Sequence, residues 1–393
     1  MTEAKIGQVI NVAIVGTGNI SRSHVKAYLQ FPEQCKIVAL HDIIPAHAEA
    51  VKAEFELNDA EIIDYQTLLA RKDIDLISNC TPPSEHAYLT VDLLNSGKNV
   101  IVEKPMAPSL KACDAMLAAE QQSGKLLSVI AQNRFRDDLD LVKQTIESGE
   151  LGPISAVRVD SAWWRGLPYY DLVWRGTWES EGGGPTLNHA IHHIDLLLWM
   201  LGEPDSVTAA MTNAWHNNSE VEDLSVAILQ YPRTLATLTA SVVHHGEEQA
   251  FVVHGEHASV AQPWRVEANQ SQPNGFPYPE SNDGIIAKLE ALKAAKLDLD
   301  YQGHTGQIKD VLDALDTGRA PAITGEDGRR TLQVVTAIYQ AAIERKTVDL
   351  PIPADSPWYQ GTALLERAPR FHQKKASVTD IGTGTYSYGG SPS

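Results

Sequence analysis

Hydrophobic positions in the first third of the chain form short apolar runs separated by longer amphipathic stretches. The runs are rich in Val, Ile and Leu, as parallel strands buried on both faces are, and they cover residues 12–15, 36–41, 76–79, 99–102 and 126–130. The stretches between them repeat apolar residues at helical spacing, at residues 23–30, 46–54, 85–95 and 110–123. Regular alternation of strand and helix predicts an α/β domain with a doubly wound parallel sheet over residues 1–132.

The pattern changes after residue 132. A linking helix is expected at 141–147 and a turn at 149–153, and the later strands alternate apolar and polar positions, as in an antiparallel sheet. These strands cover residues 154–163, 206–215, 224–230, 234–243 and 249–254, with helices at 185–200, 306–317 and 328–346. We therefore expect a C-terminal α+β domain over residues 133–352 with a large, mainly antiparallel, open sheet. A C-terminal extension follows at 353–393, and its last part, 376–393, is expected to be mobile.

Composition and charge narrow the class of protein. A length of 393 residues favours two domains, and 43% hydrophobic with 21% charged residues is typical of a globular protein. A formal charge of −18 disfavours nucleic acid and anionic membranes as partners, but not an anionic small molecule. No apolar run reaches the roughly 18 residues of a membrane span, and the three cysteines form no CxxC pair. We therefore expect a cytoplasmic protein without disulfides or a zinc site.

A glycine turn follows the first predicted strand. It reads Gly16-Thr17-Gly18-Asn19-Ile20, and Ser21 stands where GxGxxG has its third glycine. Such a turn seats a dinucleotide pyrophosphate at a helix N-terminus. Asp42 ends the next strand, near the spacing of roughly 20 residues at which a carboxylate binds the adenosine ribose. Because a carboxylate repels a 2′-phosphate, the pattern predicts a Rossmann domain that prefers NAD to NADP. A glycine turn of another α/β fold is the alternative.

Two further strand ends carry polar residues at the same predicted sheet edge. Thr81-Pro82 follows strand 76–79, and His86 comes at the start of the next helix. Glu103-Lys104-Pro105 follows strand 99–102. Because ligands of such sheets bind beyond the carboxyl ends of the strands, these residues are candidates for cofactor contacts. The alternatives are a helix cap or surface histidine for His86 and a solvated strand-end lysine for Lys104.

In order and spacing, these motifs resemble those of the glucose–fructose oxidoreductase, inositol dehydrogenase and rhizopine-catabolism (Gfo/Idh/MocA) family. The resemblance rests on Gly16–Ile20, Thr81-Pro82, Glu103-Lys104-Pro105, Gly182-Gly183-Gly184 with His192 and Asp195, Val221-Glu222-Asp223, His304, Ile308, Gly318-Arg319 and Pro321. It runs from about residue 12 to 351 and implies NAD(P)-linked oxidation of sugars, cyclitols or related alcohols, with an open sheet that forms an oligomer interface. It also implies that Lys104 is catalytic and that His192 is the general base.

The chemistry of the residues agrees with these roles. Oxidation of a secondary alcohol needs a base for the hydroxyl proton and a positive charge beside the developing alkoxide, which His192 and the Lys104 ammonium would supply. Many polyol-oxidising members of the family carry aspartate where this chain has Asn188, and some sugar-nucleotide dehydrogenases have asparagine there. Because an amide takes up no proton, we expect Asn188 to position the substrate or the lysine.

The predicted helix at 185–200 carries several of these side chains. Asn188, His192 and Asp195 are spaced i, i+4 and i+7, which places all three on one helix face. Asp195 would either orient the imidazole or pack the helix, and packing is favoured. His189 and His193 form an i, i+4 pair, but no HExxH pattern supplies further zinc ligands. No metal is therefore expected, and these two histidines are interpreted as packing residues, with His189 also a candidate for substrate contact.

Aromatic and arginine residues cluster just before this helix. Aromatic faces stack on sugar rings, and arginine binds hydroxyls, carboxylates or phosphates; an aromatic loop that packs on the core or on a partner is the alternative. The candidate substrate-binding residues are Asn133, Arg134, Trp163, Arg165, Tyr169, Asn188, His189 and His192. The candidate cofactor-binding residues are Gly16, Gly18, Asn19, Ile20, Asp42, Thr81, Pro82, His86, Glu103, Lys104, Trp174 and Arg175.

The sequence therefore predicts an NAD-dependent dehydrogenase that oxidises a ring secondary alcohol of a sugar, glycoside or cyclitol to a ketone. A sugar nucleotide is the nearest alternative substrate. An NAD-retaining glycosidase and a non-catalytic dinucleotide-binding regulator are the alternatives from other classes. Because an antiparallel sheet with one uncovered face favours association, we expect a homodimer or homotetramer.

Overall fold

The computed structural model describes residues 7–378, which form two compact units. The first unit contains the described residues up to Asp137 together with Asp298–Leu332, and the second contains Asp138–Leu297 and the described residues from Gln333 onward. The first change of unit lies close to the domain boundary predicted at 132/133. Residues 298–332, which the sequence analysis assigns to the second domain, belong instead to the first unit. No helix within residues 7–378 is long and apolar enough to cross a membrane.

The elements follow one another along the chain in three stretches. The first stretch contains β1 (Ile10–Val15), α1 (Ser21–Tyr28), β2 (Cys35–His41), α2 (Pro45–Glu54), β3 (Glu61–Ile62), α3 (Tyr65–Ala70), β4 (Leu76–Asn79), α4 (Pro83–Asn95), β5 (Asn99–Val102), α5 (Leu110–Ser123), β6 (Leu127–Val129) and a 3-10 helix (Gln132–Phe135). The second contains α6 (Asp137–Glu147), β7 (Ile154–Ala162), a 3-10 helix (Leu167–Asp171), α7 (Pro185–Asn188), α8 (Ile191–Leu201), β8 (Ser206–Thr212), β9 (Leu224–Gln230), β10 (Leu235–Ser241), β11 (Gln249–Gly255), β12 (Ser259–Gln262), β13 (Arg265–Glu267), β14 (Asn269–Ser271), β15 (Pro277–Ser281) and α9 (Asp283–Ala295). The third contains α10 (Gly303–Thr317), α11 (Gly325–Glu344), β16 (Val348–Asp349), α12 (Pro357–Gln360) and α13 (Thr362–Arg367).

The first unit is a six-stranded parallel sheet in the order β3-β2-β1-β4-β5-β6. This is a strand order of dinucleotide-binding folds, and it confirms the predicted doubly wound sheet. Every residue of β4 and β5 is buried, as expected when helices cover both faces. The short elements β3 and α3 were not predicted, because their stretch lacks a long apolar run.

Helix α10 belongs to the first unit because its apolar face is part of that unit's core. Ile308, Val311 and Leu312 are fully buried in the same cluster as residues of β1 and α1, and α10 packs against α1. This long-range packing explains why residues 298–332 join a unit that is distant in sequence. Helical periodicity alone predicts the helix but not its packing partner.

The second unit contains an eight-stranded mixed sheet in the order β13-β12-β11-β7-β10-β9-β8-β16. Strands β7 and β10 pair in parallel, and the other neighbouring pairs are antiparallel. The predicted α+β domain with a mainly antiparallel sheet is therefore confirmed. Burial alternates along β9, and Val226 and Ile228 are exposed on one of its faces. The elements β12–β15, α9, α12 and α13 were not predicted.

The helix predicted over residues 185–200 is two helices, α7 and α8. His189 and Ala190 lie between them, and both of their N–H groups donate to the Pro185 carbonyl, at 3.0 and 2.8 Å. The helix therefore stops and restarts within one turn. Asn188 ends α7, whereas the other two members of the predicted one-face set lie on α8. The i, i+4 and i+7 spacing is therefore not that of one continuous helix.

Strand β8 ends at Thr212, earlier than the predicted strand 206–215. The Asp223 carboxylate accepts the three consecutive N–H groups of residues 214–216, at 2.7, 2.9 and 3.1 Å. Because these N–H groups donate to the carboxylate, they do not donate to a neighbouring strand, and the strand pairing of β8 ends there. A long-range contact thus shortens a strand that local pattern extends.

The C-terminal extension contacts the second unit as far as it is described. The Lys374 ammonium donates to the carbonyl oxygens of Tyr170, Leu172 and Arg175, and the Val378 N–H donates to a main-chain carbonyl at 2.9 Å. Val378, which lies in the segment predicted to be mobile, therefore makes main-chain hydrogen bonds. Residues 379–393, the rest of that segment, lie outside the described residues.

Candidate active site

The carboxyl edge of the parallel sheet collects the predicted cofactor residues of the first unit. The glycine turn follows β1, Asp42 follows β2, Thr81 follows β4 and Lys104 follows β5. Because these strands are parallel, their carboxyl ends share one edge of the sheet. The fold therefore brings together residues that are widely separated in sequence.

The glycine turn has the shape that a dinucleotide pyrophosphate requires. Gly16 has φ +83°, and a Cβ there would come within 2.8 Å of the Cys80 carbonyl group. Gly18 instead faces open space, with nothing within 4 Å of its would-be Cβ. Ser21, which replaces the third glycine of the motif, is buried, and its hydroxyl donates to the Gly18 carbonyl at 2.6 Å. The backbone at Gly18 is thus accessible at the start of α1, and the turn fits the pyrophosphate of NAD.

Asp42 lies directly against this turn. Its Oδ2 accepts the N–H and the hydroxyl of Thr17, at 2.8 and 2.9 Å, and its Oδ1 accepts the Ile44 N–H at 2.9 Å. Partial burial opposes ionisation, but the donors from Ile44 and Thr17 outweigh it and lower the pKa of Asp42. The carboxylate is therefore charged at neutral pH, as ribose binding and exclusion of a 2′-phosphate require.

His86 is fully buried. Its Nδ1 lies 2.8 Å from the Pro105 carbonyl and its Nε2 lies 2.8 Å from the Thr81 carbonyl. Burial lowers the pKa of His86, so the neutral ring donates to one of these oxygens. Both ring nitrogens face main-chain carbonyls, so the imidazole lies between the loops that follow β4 and β5. The contact of His86 with the cofactor stays a prediction.

Glu103 has partners within the first unit, and its cofactor contact stays a prediction. Its side chain is buried at 4% exposure and faces His24 and His304 within the first unit. Lys104, the next residue, is only half-buried. Of the predicted substrate residues, Asn133 and Arg134 also belong to the first unit, where the Arg134 guanidinium pairs with Asp327 at 3.3 Å.

The second unit brings six predicted site residues into one cluster, here called the aromatic–arginine cluster: Trp163, Arg165, Tyr169, Trp174, Arg175 and His189. The guanidinium carbon of Arg175 lies 3.8 Å from the Trp174 ring centroid and 4.1 Å from that of Tyr169. The guanidinium carbon of Arg165 lies 5.2 Å from the Trp163 centroid and 5.9 Å from that of Tyr169. The His189 ring packs at 5.3 Å from Trp163 and 6.1 Å from Tyr169. Two cations thus flank one tyrosine ring, an arrangement stabilised by cation–π attraction.

Glu181 is a site residue that the sequence reasoning missed. Its buried carboxylate accepts from the Arg175 guanidinium at 2.6 Å, from the Gly176 N–H at 2.7 Å and from the Asn188 amide at 3.0 Å. Burial raises the pKa of Glu181, and the Arg175 charge opposes that rise. Glu181 therefore joins Arg175 to Asn188, two residues predicted for different roles. Its position directly before Gly182-Gly183-Gly184 is the signal that could have identified it.

The surroundings of Asn188 explain why an amide stands there. Its Nδ2 donates to Glu181 at 3.0 Å and lies 2.9 and 3.3 Å from the carbonyl oxygens of Gly183 and Gly184. All three neighbours are acceptors, so the side-chain atom facing them has to be a donor. An aspartate would place a second carboxylate oxygen against Glu181. The asparagine at this position is therefore coupled to this pocket of acceptors.

Glu222 holds the start of α7. Its carboxylate accepts the N–H groups of Gly184 and Thr186, at 3.0 and 3.2 Å, and the Tyr339 hydroxyl at 3.0 Å. Burial raises the pKa of Glu222 to about 7, against the opposing effect of these donors. Beyond this segment, His192 lies half-buried in the first turn of α8, and Asp195 is buried one turn later.

Within residues 7–378, the side chains that could hold a metal ion are His24, Glu103 and His304, whose ligand atoms lie within 4.8 Å of one another. His189 and His193, whose spacing raised the metal alternative, do not belong to this group.

The parallel sheet, the glycine turn and the second mixed sheet define a class: an oxidoreductase with an NAD-binding Rossmann domain. Residues 10–131 match the family described as "Oxidoreductase family, NAD-binding Rossmann fold", and residues 139–261 match the "GFO/IDH/MocA C-terminal domain". The chain belongs to the GFO/IDH/MocA family, which confirms the resemblance seen in its motifs.

Relatives that are matched over most of their length accompany this assignment. An inositol 2-dehydrogenase of Rhizobium meliloti (strain 1021) is 24% identical over 351 residues, covering 87% of this chain and 99% of the relative. A scyllo-inositol 2-dehydrogenase (NADP(+)) of Bacillus subtilis (strain 168) is 24% identical over 322 residues, covering 78% and 87%. The crystal structure of the WlbA dehydrogenase from Bordetella pertussis in complex with NADH and UDP-GlcNAcA has a TM-score of 0.75 and 27% identity, covering 88% of this chain and 100% of that one.

Two glycine substitutions in the turn are expected to affect different properties, one the stability of the fold and the other the affinity for NAD. Gly16→Ala should lower the free energy of unfolding by about 2 kcal/mol or more, because its methyl group meets the Cys80 main chain and its φ is positive. Gly18→Ala should change stability by less than about 0.5 kcal/mol but raise the Kd for NAD about tenfold or more, since its methyl group enters the open space. Urea unfolding and calorimetric NAD titration measure the two effects. Normal NAD affinity of Gly18→Ala would contradict the assignment of this space to the pyrophosphate.

Asn188→Asp should destabilise the second unit in a pH-dependent way. The introduced carboxyl group would lie against the buried Glu181 carboxylate. Because two neighbouring carboxylates repel each other, the pKa values of both groups are higher in the folded state than in the unfolded state. The variant therefore retains its stability below about pH 4, where both carboxyl groups are protonated, and loses stability as the pH rises through their raised folded-state pKa values. We expect a loss of about 1–3 kcal/mol at pH 8, measured by denaturant unfolding, and a smaller loss at pH 5. The double variant Asn188→Asp/Glu181→Gln should recover part of the loss, because the glutamine amide can donate. A pH-independent deficit equal to that of Asn188→Ala would contradict the electrostatic explanation.

Proposed function

We propose that this oxidoreductase oxidises a ring secondary alcohol of a sugar, glycoside or cyclitol to a ketone with NAD. The observation that carries the proposal is the placement of Lys104 at the carboxyl end of β5, on the same sheet edge as a glycine turn that fits the pyrophosphate. A lysine at that edge is suited to stabilise negative charge on a ligand of the sheet. The similarity to inositol dehydrogenases and to WlbA supports this substrate class.

Each residue has a chemical task in this proposal. The Lys104 ammonium stabilises the developing alkoxide, and His192 takes the hydroxyl proton as general base. Asn188 positions the substrate or the lysine and takes up no proton. The nicotinamide of the bound cofactor supplies the hydride acceptor. Glu181 acts through Asn188 and Arg175, which it holds, and is therefore a positioning residue.

The aromatic–arginine cluster supports recognition of a sugar by stacking and by charged donors. Two guanidinium groups beside Tyr169 favour a second candidate substrate, a sugar nucleotide or another anionic sugar. WlbA, crystallised with UDP-GlcNAcA, gives this candidate further support. Arg165 pairs with Glu247 and Arg175 with Glu181, so both cations already have an anionic neighbour. We therefore place the neutral ring alcohol first.

The alternatives from other classes make different predictions in one assay. Protein, NAD and a panel of sugars, cyclitols and sugar nucleotides are mixed, and absorbance near 340 nm is followed together with product analysis. Net NADH with a ketone product is the expected result. Hydrolysis without net NADH would identify an NAD-retaining glycosidase, and NAD binding without any turnover would identify a regulator. A cytoplasmic location and a homodimer or homotetramer remain part of the proposal, the latter tested by light scattering.

Removal of either proposed reacting group should lower turnover strongly without unfolding the protein. Lys104→Met and His192→Ala are each expected to lower kcat by about 10²–10⁴-fold, because an electrostatic stabiliser or a general base contributes on that order. Lys26→Met and His254→Ala remove exposed side chains of the same types and serve as controls with near-normal kcat. Near-normal turnover of His192→Ala at its own pH optimum would remove His192 from the role of base.

Cofactor preference tests Asp42. The wild-type protein should use NAD with a kcat/KM at least about tenfold above that for NADP, since a charged carboxylate repels the 2′-phosphate. Asp42→Asn keeps the size of the side chain and should reduce that ratio through better use of NADP. The NADP(+)-linked relative of Bacillus subtilis shows that both cofactors occur among proteins of this similarity. Comparable kcat/KM of the wild type with both cofactors would contradict the role of Asp42.

A further inference from the structure

A buried carboxylate stands directly before Lys104. Glu103 Oε1 accepts from His24 Nε2 at 3.1 Å and from His304 Nε2 at 3.3 Å, and its Oε2 accepts the Lys104 N–H at 3.1 Å. The side chain of His24 is fully buried, and that of His304 is 19% exposed. Three donors from α1, α10 and the main chain therefore fix one carboxylate beside the lysine.

The hydrogen bonds behind Glu103 have one consistent direction. Burial opposes ionisation of Glu103, but the imidazole donors outweigh it and hold its pKa well below the usual range, so the carboxylate only accepts. Burial lowers the pKa of His24, so this ring is neutral, with its Nε2 donating to Glu103. His24 Nδ1 must then accept from the Ser78 hydroxyl at 3.0 Å, and Ser78 accepts from the Tyr28 hydroxyl at 2.8 Å. Each side-chain polar atom of Glu103, His24, Ser78 and Tyr28 thereby has a partner, and the negative charge stays on Glu103.

The main chain around Lys104 is held on both sides. Glu103 accepts its N–H, and His86 lies 2.8 Å from the carbonyl of the following residue, Pro105. His86 in turn lies 2.8 Å from the Thr81 carbonyl. Two buried side chains therefore constrain the backbone from which the lysine side chain starts.

We propose that Glu103 is a positioning residue for Lys104. The buried Glu103 carboxylate fixes the main chain of the lysine and keeps the lysine side chain in its ammonium form. The proposal rests on the proposed function of Lys104 as an electrostatic stabiliser. The titratable side chains that face Glu103 are His24 on α1, His304 on α10, His86 on α4 and Cys80 after β4, and the main-chain N–H of Lys104 donates to the same carboxylate. Burial lowers the pKa of His24 and His86 and raises that of the Cys80 thiol, so these three groups are uncharged at neutral pH. Lys104 is the next residue in the chain, and its ammonium is the cation that this fixed negative charge would stabilise.

Glu103→Gln tests the charge directly. Loss of a nearby negative charge makes the ammonium less favourable, so the pKa of Lys104 should fall by about one unit or more. Two-dimensional NMR of protein labelled with 13Cε-lysine, with the signal assigned through Lys104→Arg, follows this titration in the full chain. In turnover assays, the alkaline limb of kcat should move to lower pH by the same amount, while KM for NAD stays within about twofold. Glu33→Gln, at an exposed position of the first unit, is the matched control and should change neither value.

Glu103→Asp separates position from charge. It retains the carboxylate on a shorter side chain that cannot reach both imidazoles and the Lys104 N–H together. The Lys104 titration should therefore stay close to that of the wild type while kcat falls about tenfold. If Glu103→Gln does not fold, this variant decides the proposal, because an unchanged kcat would overturn it.

Other outcomes would also overturn the proposal. An unchanged Lys104 titration in folded Glu103→Gln would show that the carboxylate does not control the ammonium. Mass spectrometry could find a stoichiometric metal in the purified protein that is absent from the Glu103→Gln protein. If chelation of that metal also removed activity, His24, Glu103 and His304 would be metal ligands instead. The NMR titration needs no turnover, so it gives its result even if no sugar is oxidised and the proposed function fails.

Discussion

Buried main-chain N–H groups need acceptors, because an unpaired one costs about 1–3 kcal/mol, and buried carboxylates supply them at the site loops of this protein. Glu103 accepts the N–H of Lys104, Glu181 that of Gly176, Glu222 those of Gly184 and Thr186, and Asp223 those of residues 214–216. Each of these carboxylates stabilises a loop or a helix start that carries or adjoins a candidate site residue. The precision of the site therefore depends on acidic side chains that lie behind it.

The neighbours of each carboxylate decide its charge. Imidazole donors hold the pKa of Glu103 well below its usual range in spite of burial, whereas Glu222, held by neutral donors only, has a pKa raised to about 7. Glu181 lies between these cases, since the Arg175 cation opposes the effect of burial. A buried charge that retains its partners is tolerated, but removal of one partner leaves an uncompensated ion and is strongly destabilising. The same residue type thus serves as a fixed charge in one loop and as a titrating group in another.

The acceptor pocket around Asn188 shows how such a network constrains chemistry. A carboxylate and two carbonyl oxygens face its amide nitrogen, so the residue at 188 has to donate. A relay through aspartate at this position would require a different residue at 181. An inositol dehydrogenase and a WlbA dehydrogenase are 24% and 27% identical to this chain. In comparisons with such relatives, the residues at positions 188 and 181 are therefore best considered as a pair.

The sequence by itself determined the two kinds of sheet, the bounds of several elements and the motif residues, because buried parallel strands, amphipathic helices and glycine turns leave local patterns. β4, β5, α5 and β9 have the predicted bounds. Tertiary structure alone decided which residues face the predicted ones. It placed α10 in the first unit, divided the helix at His189, ended β8 at Thr212 and directed Glu103 and His86 toward buried partners. Those outcomes depend on contacts between residues far apart in the chain, and local periodicity carries no information about long-range hydrogen-bond partners or buried charge.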